Sequence, residues 1–265
     1  MGRIFAVTNQ KGGVGKTTTS VNLAASLAAA EQDVLLVDCD PQGNATSGLG
    51  VEIAAGRPTL YDLLIGRSGV QAAINRTDLE RLGVIGSNVN LFGAEVELAA
   101  MEGREHLLAR ALKPLAASFR YIFLDCPPSL GLLTLNALTA CDAVIIPLQC
   151  EYYALEGLTQ LLHTVTRVRR NLNPALGLEG IVLTMFDKRN NLSGQVAEDV
   201  RRHFGDKVFK TVIPRNVRLS EAPSHGKPAL LYDRHCAGSR AYLRLARELL
   251  ARPAGPAARQ GDVAA

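Results

Sequence analysis

Short apolar runs, each ended by a polar residue, glycine or proline, recur at residues 3–8, 34–37, 82–86, 121–125, 143–147, 179–185 and 208–212. Their apolar positions are continuous rather than alternating, which is the pattern of strands covered on both faces. Between them lie longer stretches with helical spacing, beginning with the alanine-rich segment Thr17–Ala30. Strand and helix therefore alternate, and this order predicts an α/β fold, a doubly wound, mostly parallel sheet with helices on both faces. The signal is mixed between Val51 and Arg81, where Thr59–Ile65 is expected to form a short helix. Ser220–Gly226 is expected to be a short capped helix closed by its glycine.

A chain of 265 residues that is 47% hydrophobic and 20% charged can bury a full core, so residues 1–251 are expected to form one domain. The segment 252–265 is small, rich in proline and glycine and aperiodic, and is expected to be disordered. No run of 18 apolar residues occurs, and Met1-Gly2-Arg3 leads straight into the first strand rather than a signal sequence. A cytoplasmic protein is expected, with no membrane partner and no helix-turn-helix domain ahead of the first strand. The five cysteines, Cys39, Cys126, Cys141, Cys150 and Cys236, lack C-x-x-C spacing and read as buried apolar residues in a reducing compartment. His163, His203, His225 and His235 lack metal spacing.

The densest chemistry lies where the first strand gives way to the first helix. Lys11-Gly12-Gly13-Val14-Gly15-Lys16-Thr17-Thr18 is a glycine loop that brings backbone N–H groups and a helix N-terminus to a phosphate, with Lys16 aimed at the terminal phosphates and Thr17 at Mg²⁺. A standard loop of this kind has glycine five residues before Gly15, but here that residue is Gln10. Lys11 is a second cation that its own loop does not need for charge balance, which suggests use across an interface. The second strand ends in Asp38-Cys39-Asp40-Pro41-Gln42-Gly43-Asn44 and a later one in Asp125-Cys126-Pro127-Pro128. A single strand-end aspartate is more often a cap for a turn. Three beside a phosphate loop make a Mg-nucleotide site at the carboxyl edge of the sheet.

Charge is unevenly spread. Residues 1–150 carry 11 Lys/Arg against 14 Asp/Glu, a net of −3, while residues 151–265 carry 18 against 11, a net of +7. Arg167, Arg169, Arg170, Lys188, Arg189, Arg201, Arg202, Arg215, Arg218 and Arg240 are candidates for a patch that binds phosphate backbones. On charge alone, an ordinary solvated surface is the favoured explanation. Tyr152 and Tyr153, at a strand-to-helix junction, fit either packing or a partner contact.

Taken together, Asn9–Thr18, Asp38–Thr46, Asp125–Gly131, Glu151–Gly157 and Ile213–Arg218 resemble the deviant Walker A ATPases, and within them the ParA/Soj-type partitioning ATPases. The resemblance implies ATP and Mg²⁺ as ligands. It further implies that Gly12, Gly13, Val14, Gly15 and Thr18 cradle the nucleotide, with Lys16 and Thr17 acting in cis and Lys11 reaching the nucleotide of a second copy in a sandwich dimer. Asp40 would orient or activate the attacking water, Thr17 and Asp125 would support Mg²⁺, and Asp38 would sit near the metal and the first switch loop. Gly12 would lie at the dimer seam, and Pro214 and Asn216 in the adenine pocket. Arg189 and Arg218 would bind double-stranded DNA without sequence preference, placing the protein on the nucleoid, with Arg215 of the basic patch as a further DNA-binding candidate. A ParB/Spo0J-type centromere-binding protein would be the partner that stimulates a slow basal hydrolysis.

The same nucleotide site also serves MinD-like membrane switches and iron–sulfur carriers. The former need a basic amphipathic C-terminal helix and the latter paired cysteines, and the sequence offers neither.

Overall fold

The computed structural model describes residues 2–115 and 117–253. Seven of its segments are strands, β1 (Arg3–Val7), β2 (Val34–Asp38), β3 (Ile74–Arg76), β4 (Leu82–Ile85), β5 (Tyr121–Asp125), β6 (Ala143–Gln149) and β7 (Gly177–Thr184). They form one sheet in the order β3-β4-β2-β5-β1-β6-β7. All neighbours run parallel except β3, which pairs antiparallel with β4 at the edge. This is the doubly wound sheet that the alternation predicts.

Continuous apolar strands make sense here because each face of the sheet has its own core. Ala6, Leu35, Val37, Ile122 and Leu124 point into one apolar cluster, which the helices Leu132–Ala140 and Ala154–Asn171 help to cover. Phe5, Val7, Val34, Leu36 and Phe123 point into the other, under the helices Lys16–Ala28 and Ala237–Ala251. Cys39, Cys126, Cys141 and Cys150 are buried among these side chains, and Cys236 is half-buried, as expected of apolar fillers. The sheet brings the ends of β1, β2 and β5 together, with Val7 and Asp38 both in register with Asp125. The three loops carrying the candidate chemistry therefore leave the sheet side by side.

Three expectations are corrected in detail. Residues 208–212 do not form a strand. Phe209 and Ile213 donate their N–H groups to Ile181 and Leu183 at 2.9 Å each, but the N–H groups of Lys210 and Thr211 turn instead to the Glu248 carboxylate at 2.6 and 2.9 Å. A side chain from the last helix thus takes the place of a sheet partner, and only isolated bridges remain, Ile181 with Val208 and Phe186 with Pro214. In the mixed region, β3 was not foreseen, whereas the short helix appears as Leu60–Leu64 with a Thr59/Asp62 capping box. The Ser220–Gly226 helix begins earlier, as Val217–Glu221, and tightens into a 3₁₀ turn at Ala222–His225 before Gly226 ends it with φ 61°.

Arg252, the first residue of the segment expected to be disordered, is packed: its guanidinium lies 3.7 Å from the Phe209 ring centroid and donates to the Glu179 carbonyl. Pro253 is also described, and the remainder of that segment, residues 254–265, lies outside the described residues.

Glu248→Ala leaves two backbone N–H groups to find water. It should lower stability by about 1–2 kcal/mol, read as a lower urea midpoint at unchanged slope, with loss of amide protection at Lys210 and Thr211.

Candidate functional site

The loop after β1 is fixed from both sides before it reaches any ligand. Asn9 donates to the Pro147 carbonyl at 2.8 Å and accepts the Lys11 N–H at 3.0 Å, and the Thr184 hydroxyl donates to the Val14 carbonyl at 2.9 Å. Gly13 and Gly15 take left-handed φ values of 74° and 86°. At these positions an ordinary side chain would strain the backbone. No side chain caps the helix Lys16–Ala28 that starts at Gly15, so its first N–H groups and its dipole face the loop.

The two lysines have separate places. Lys16 is buried, and its ammonium donates to the Lys11 carbonyl at 3.0 Å, inside the loop. Burial lowers its pKa, partly offset by the negative charge of Asp125 and Asp40. Lys11 lies outside, its side chain 44% exposed and ion-paired with Glu151. An exposed pair of this kind is weak.

Asp125 and Asp38 are fully buried neighbours at the ends of β5 and β2. Ser20, one helical turn after Lys16, donates to Asp125 Oδ1 at 2.8 Å, while Asp125 Oδ2 is buried without a hydrogen-bond partner. Asp38 is differently engaged: Oδ2 accepts from the Thr46 N–H and hydroxyl at 2.8 and 2.7 Å, and Oδ1 from the Asp40 N–H at 3.2 Å. Burial pushes both carboxyls well above the usual carboxylate range, and for Asp125 the charge of Asp38 adds to the effect. Asp40 is half-buried, and its carboxylate accepts the Gln42 N–H at 3.0 Å. Ser20 was not among the sequence candidates, nor was Thr46 given a role; only their spacing from Lys16 and Asp38 could have marked them.

Gly12, Gly13, Gly15, Lys16, Thr17, Thr18 and Asp40 line one cleft of about 600 Å³, together with Phe92, Glu95, Pro127 and Pro128. Val14 is buried behind the loop. A second cleft of about 540 Å³ shares Gly15, Thr18 and Met185 and adds Pro214 and Asn216. The Asn216 Oδ1 is buried without a partner. Among the described residues no group of three His, Cys, Asp or Glu is placed to hold a metal ion. The oxygen donors Thr17 and Asp125, the latter with its unpartnered Oδ2, nevertheless fit a hard cation that brings ligands of its own.

The basic candidates separate. Lys188, Arg189, Arg201, Arg215 and Arg240 are gathered in a groove of about 950 Å³, joined by Arg244, which the sequence did not single out. Arg189 is held by Asp187 through two hydrogen bonds of 3.1 and 2.9 Å. Arg218 lines neither this groove nor the clefts; it pairs with Glu221 at 2.8 Å and Asp233 at 3.6 Å. Arg167, Arg169 and Arg170 lie on the helix Ala154–Asn171 and are not part of the groove. Tyr152 and Tyr153 are exposed and meet edge to face, so packing does not account for them.

A family model described as an AAA domain matches residues 2–178. The sporulation initiation inhibitor protein Soj of Bacillus subtilis is 59% identical over 251 residues, covering 95% of this chain and 99% of that protein. The chromosome partitioning protein ParA of Caulobacter vibrioides is 57% identical over 252 residues, covering 94% of each. Among solved structures, a cobyrinic acid a,c-diamide synthase from Mycobacterium smegmatis with bound ATP analog and magnesium is similar at a TM-score of 0.82 and 40% identity, covering 94% of this chain and 95% of that one. The cell division ATPase MinD of Pyrococcus furiosus is similar at 0.79 and 28%, covering 94% and 99%. No helix among the described residues is long and apolar enough to cross a membrane.

A buried carboxyl with a raised pKa holds its proton more tightly in the folded chain than in the unfolded one. Stability is therefore lost as pH rises from the ordinary carboxylate range towards about 7. Asp125→Asn should accordingly raise the melting temperature of the ligand-free protein at pH 8 and change it little at pH 4.

Proposed function

The chain belongs to the ParA/Soj family of chromosome-partitioning ATPases, and from that footing we propose that it hydrolyses ATP slowly with Mg²⁺ and pairs into a sandwich dimer when ATP is bound. In that state it binds DNA without sequence preference, and a ParB/Spo0J-type partner stimulates hydrolysis and releases it. The observation that carries this reading is the separation of the two lysines, Lys16 inside its own loop and Lys11 outside it on a weak exposed pair. A cation so placed is available to the nucleotide of a second copy, as an arginine finger is in other phosphoryl-transfer systems. A synthase at 40% identity shares the fold, but the partition relatives match at 57–59% over almost the whole chain.

The residues take the following parts. Backbone N–H groups from Gly12 to Thr18 and the helix N-terminus bind the phosphates, and Lys16 neutralises the terminal ones. Mg²⁺, held by Thr17 and Asp125, would supply charge neutralisation at the phosphate oxygens. Asp125 is kept in place by Ser20, and Asp38 holds the loop that carries Asp40 through Thr46. Asp40 orients the attacking water and accepts its proton. Pro214 and Asn216 receive the adenine, with the unpartnered Asn216 oxygen available to a base amino group. Arg189 and Arg215, in the groove, and Arg218, beside it in sequence, contact DNA phosphates and place the protein on the nucleoid. Neutralised phosphates release counterions, so binding weakens steeply with salt.

DNA binding measured with ADP, ATP and a non-hydrolysable analogue across a salt series, beside a sizing run for each nucleotide, tests this directly. Dimerisation and salt-sensitive binding only with ATP or its analogue are expected; a dimer that ignores DNA at every salt would remove the arginine assignment and turn attention to liposomes and the MinD-like alternative. Asp40→Ala should lower hydrolysis by about 100-fold or more and accumulate the ATP-bound dimer, whereas normal turnover would refute the role given to Asp40. Gly12→Val should bind ATP yet fail to dimerise. A Cβ at Gly12 meets nothing within 4 Å in one protomer, so that failure would report on a second copy rather than on the fold.

A further inference from the structure

Two glycines from distant segments meet backbone to backbone beside the switch loop. Gly50 follows the helix Asn44–Gly48, and Gly226 ends the 3₁₀ turn after Val217–Glu221. Both are left-handed, with φ of 70° and 61°. A Cβ on Gly50 would lie 2.6 Å from the Gly226 carbonyl oxygen, and one on Gly226 would lie 2.8 Å from the Gly50 Cα. No side chain fits between the two segments at this point.

The contact joins segments of different chemistry. On one side, Gly50 donates to Ser47 at 2.9 Å and Val51 to Thr46 at 3.2 Å, and Thr46 grips Asp38 through both its N–H and its hydroxyl. Asp40 opens the same loop. On the other side, Gly226 donates to Pro223 at 3.0 Å, in the turn that continues the helix bearing Arg218. Arg218 sits over Tyr232, with its centroid 6.0 Å away, and His225 stacks on the same ring at 4.8 Å. Ala45 and Leu49 share an apolar cluster with Leu219 and Ala222, so the segments are packed together as well as touching.

We propose that the Gly50–Gly226 contact couples the Asp38–Asp40 loop to Arg218, so that the nucleotide state of the loop sets how the arginine is presented to DNA within one protomer. The proposal rests on the DNA-binding role given to Arg218 above. A backbone contact with no side chain between its partners is stiff, and a shift of one glycine is passed to the other. The coupling is reciprocal: DNA on Arg218 tightens the ATP analogue by the factor by which the analogue tightens DNA.

Gly226→Ala forces the two segments apart and is the test. ATP-analogue affinity and dimerisation should stay within about twofold of the wild type while DNA affinity of the analogue-bound form falls about tenfold, a size usual for coupled sites. DNA affinity equal to the wild type would overturn the proposal. Should the variant fail to fold, hydrogen exchange on the wild-type protein decides: the amides of residues 217–227 are expected to exchange differently with the analogue than with ADP, and unchanged exchange overturns the coupling. Failure of the wild type to bind DNA with ATP at any salt would instead remove the DNA role of Arg218, leaving the exchange result to judge the contact between the segments.

Discussion

Two carboxylates buried side by side at the ends of adjacent parallel strands are the constraint around which this molecule is arranged. Asp38 and Asp125 lie in register and fully out of water. Burial of such groups is costly unless hydrogen bonds or an opposite charge offset it. Asp38 has its offset, from Thr46 and the Asp40 N–H, and in accepting it fixes the loop that holds Asp40. Asp125 has a hydrogen bond from Ser20, Thr17 nearby and the opposite charge of Lys16, and it keeps a buried oxygen unpartnered. The same register that makes the pair unfavourable in the free chain thus leaves one carboxylate holding a loop and the other with an oxygen that no protein group satisfies.

Much of this was legible in the sequence, and the reason is specific. The apolar runs at β1, β2, β5, β6 and β7 need partners on both faces, and only a strand in a two-sided sheet supplies them. The phosphate loop was legible because glycine spacing, a lysine and a threonine have to coincide with a strand and a helix start. What could not be read was set by distant partners. The run at 208–212 looks like a strand, yet Glu248, far along the chain, takes two of its N–H groups. β3 is only three residues long, at an edge, and too short for any period to show. Ser20 and Thr46 are ordinary residues until the strand ends bring carboxylates to them.

The basic half shows the same division. Sequence locates the arginines but not their company. Arg189 and Arg218 are each engaged by carboxylates two or three residues away, Asp187 and Glu221, whereas Arg215 lies open in the groove with Arg201, Arg240 and Arg244. Engaged arginines must exchange one anion for another to meet a phosphate, so their contribution depends on local geometry more than on their charge.

The placement of β1 has a bearing on how the protein is made. The strand that launches the phosphate loop is flanked by β5 and β6, and the loop is pinned by Thr184 through the Val14 carbonyl. Each of these partners is translated more than a hundred residues after the loop itself, and non-local pairing of this kind is intrinsically slow to form. The most recognisable motif in the chain therefore waits on partners made long after it, and a nascent polypeptide carries the complete signature before it has the strands that hold the loop.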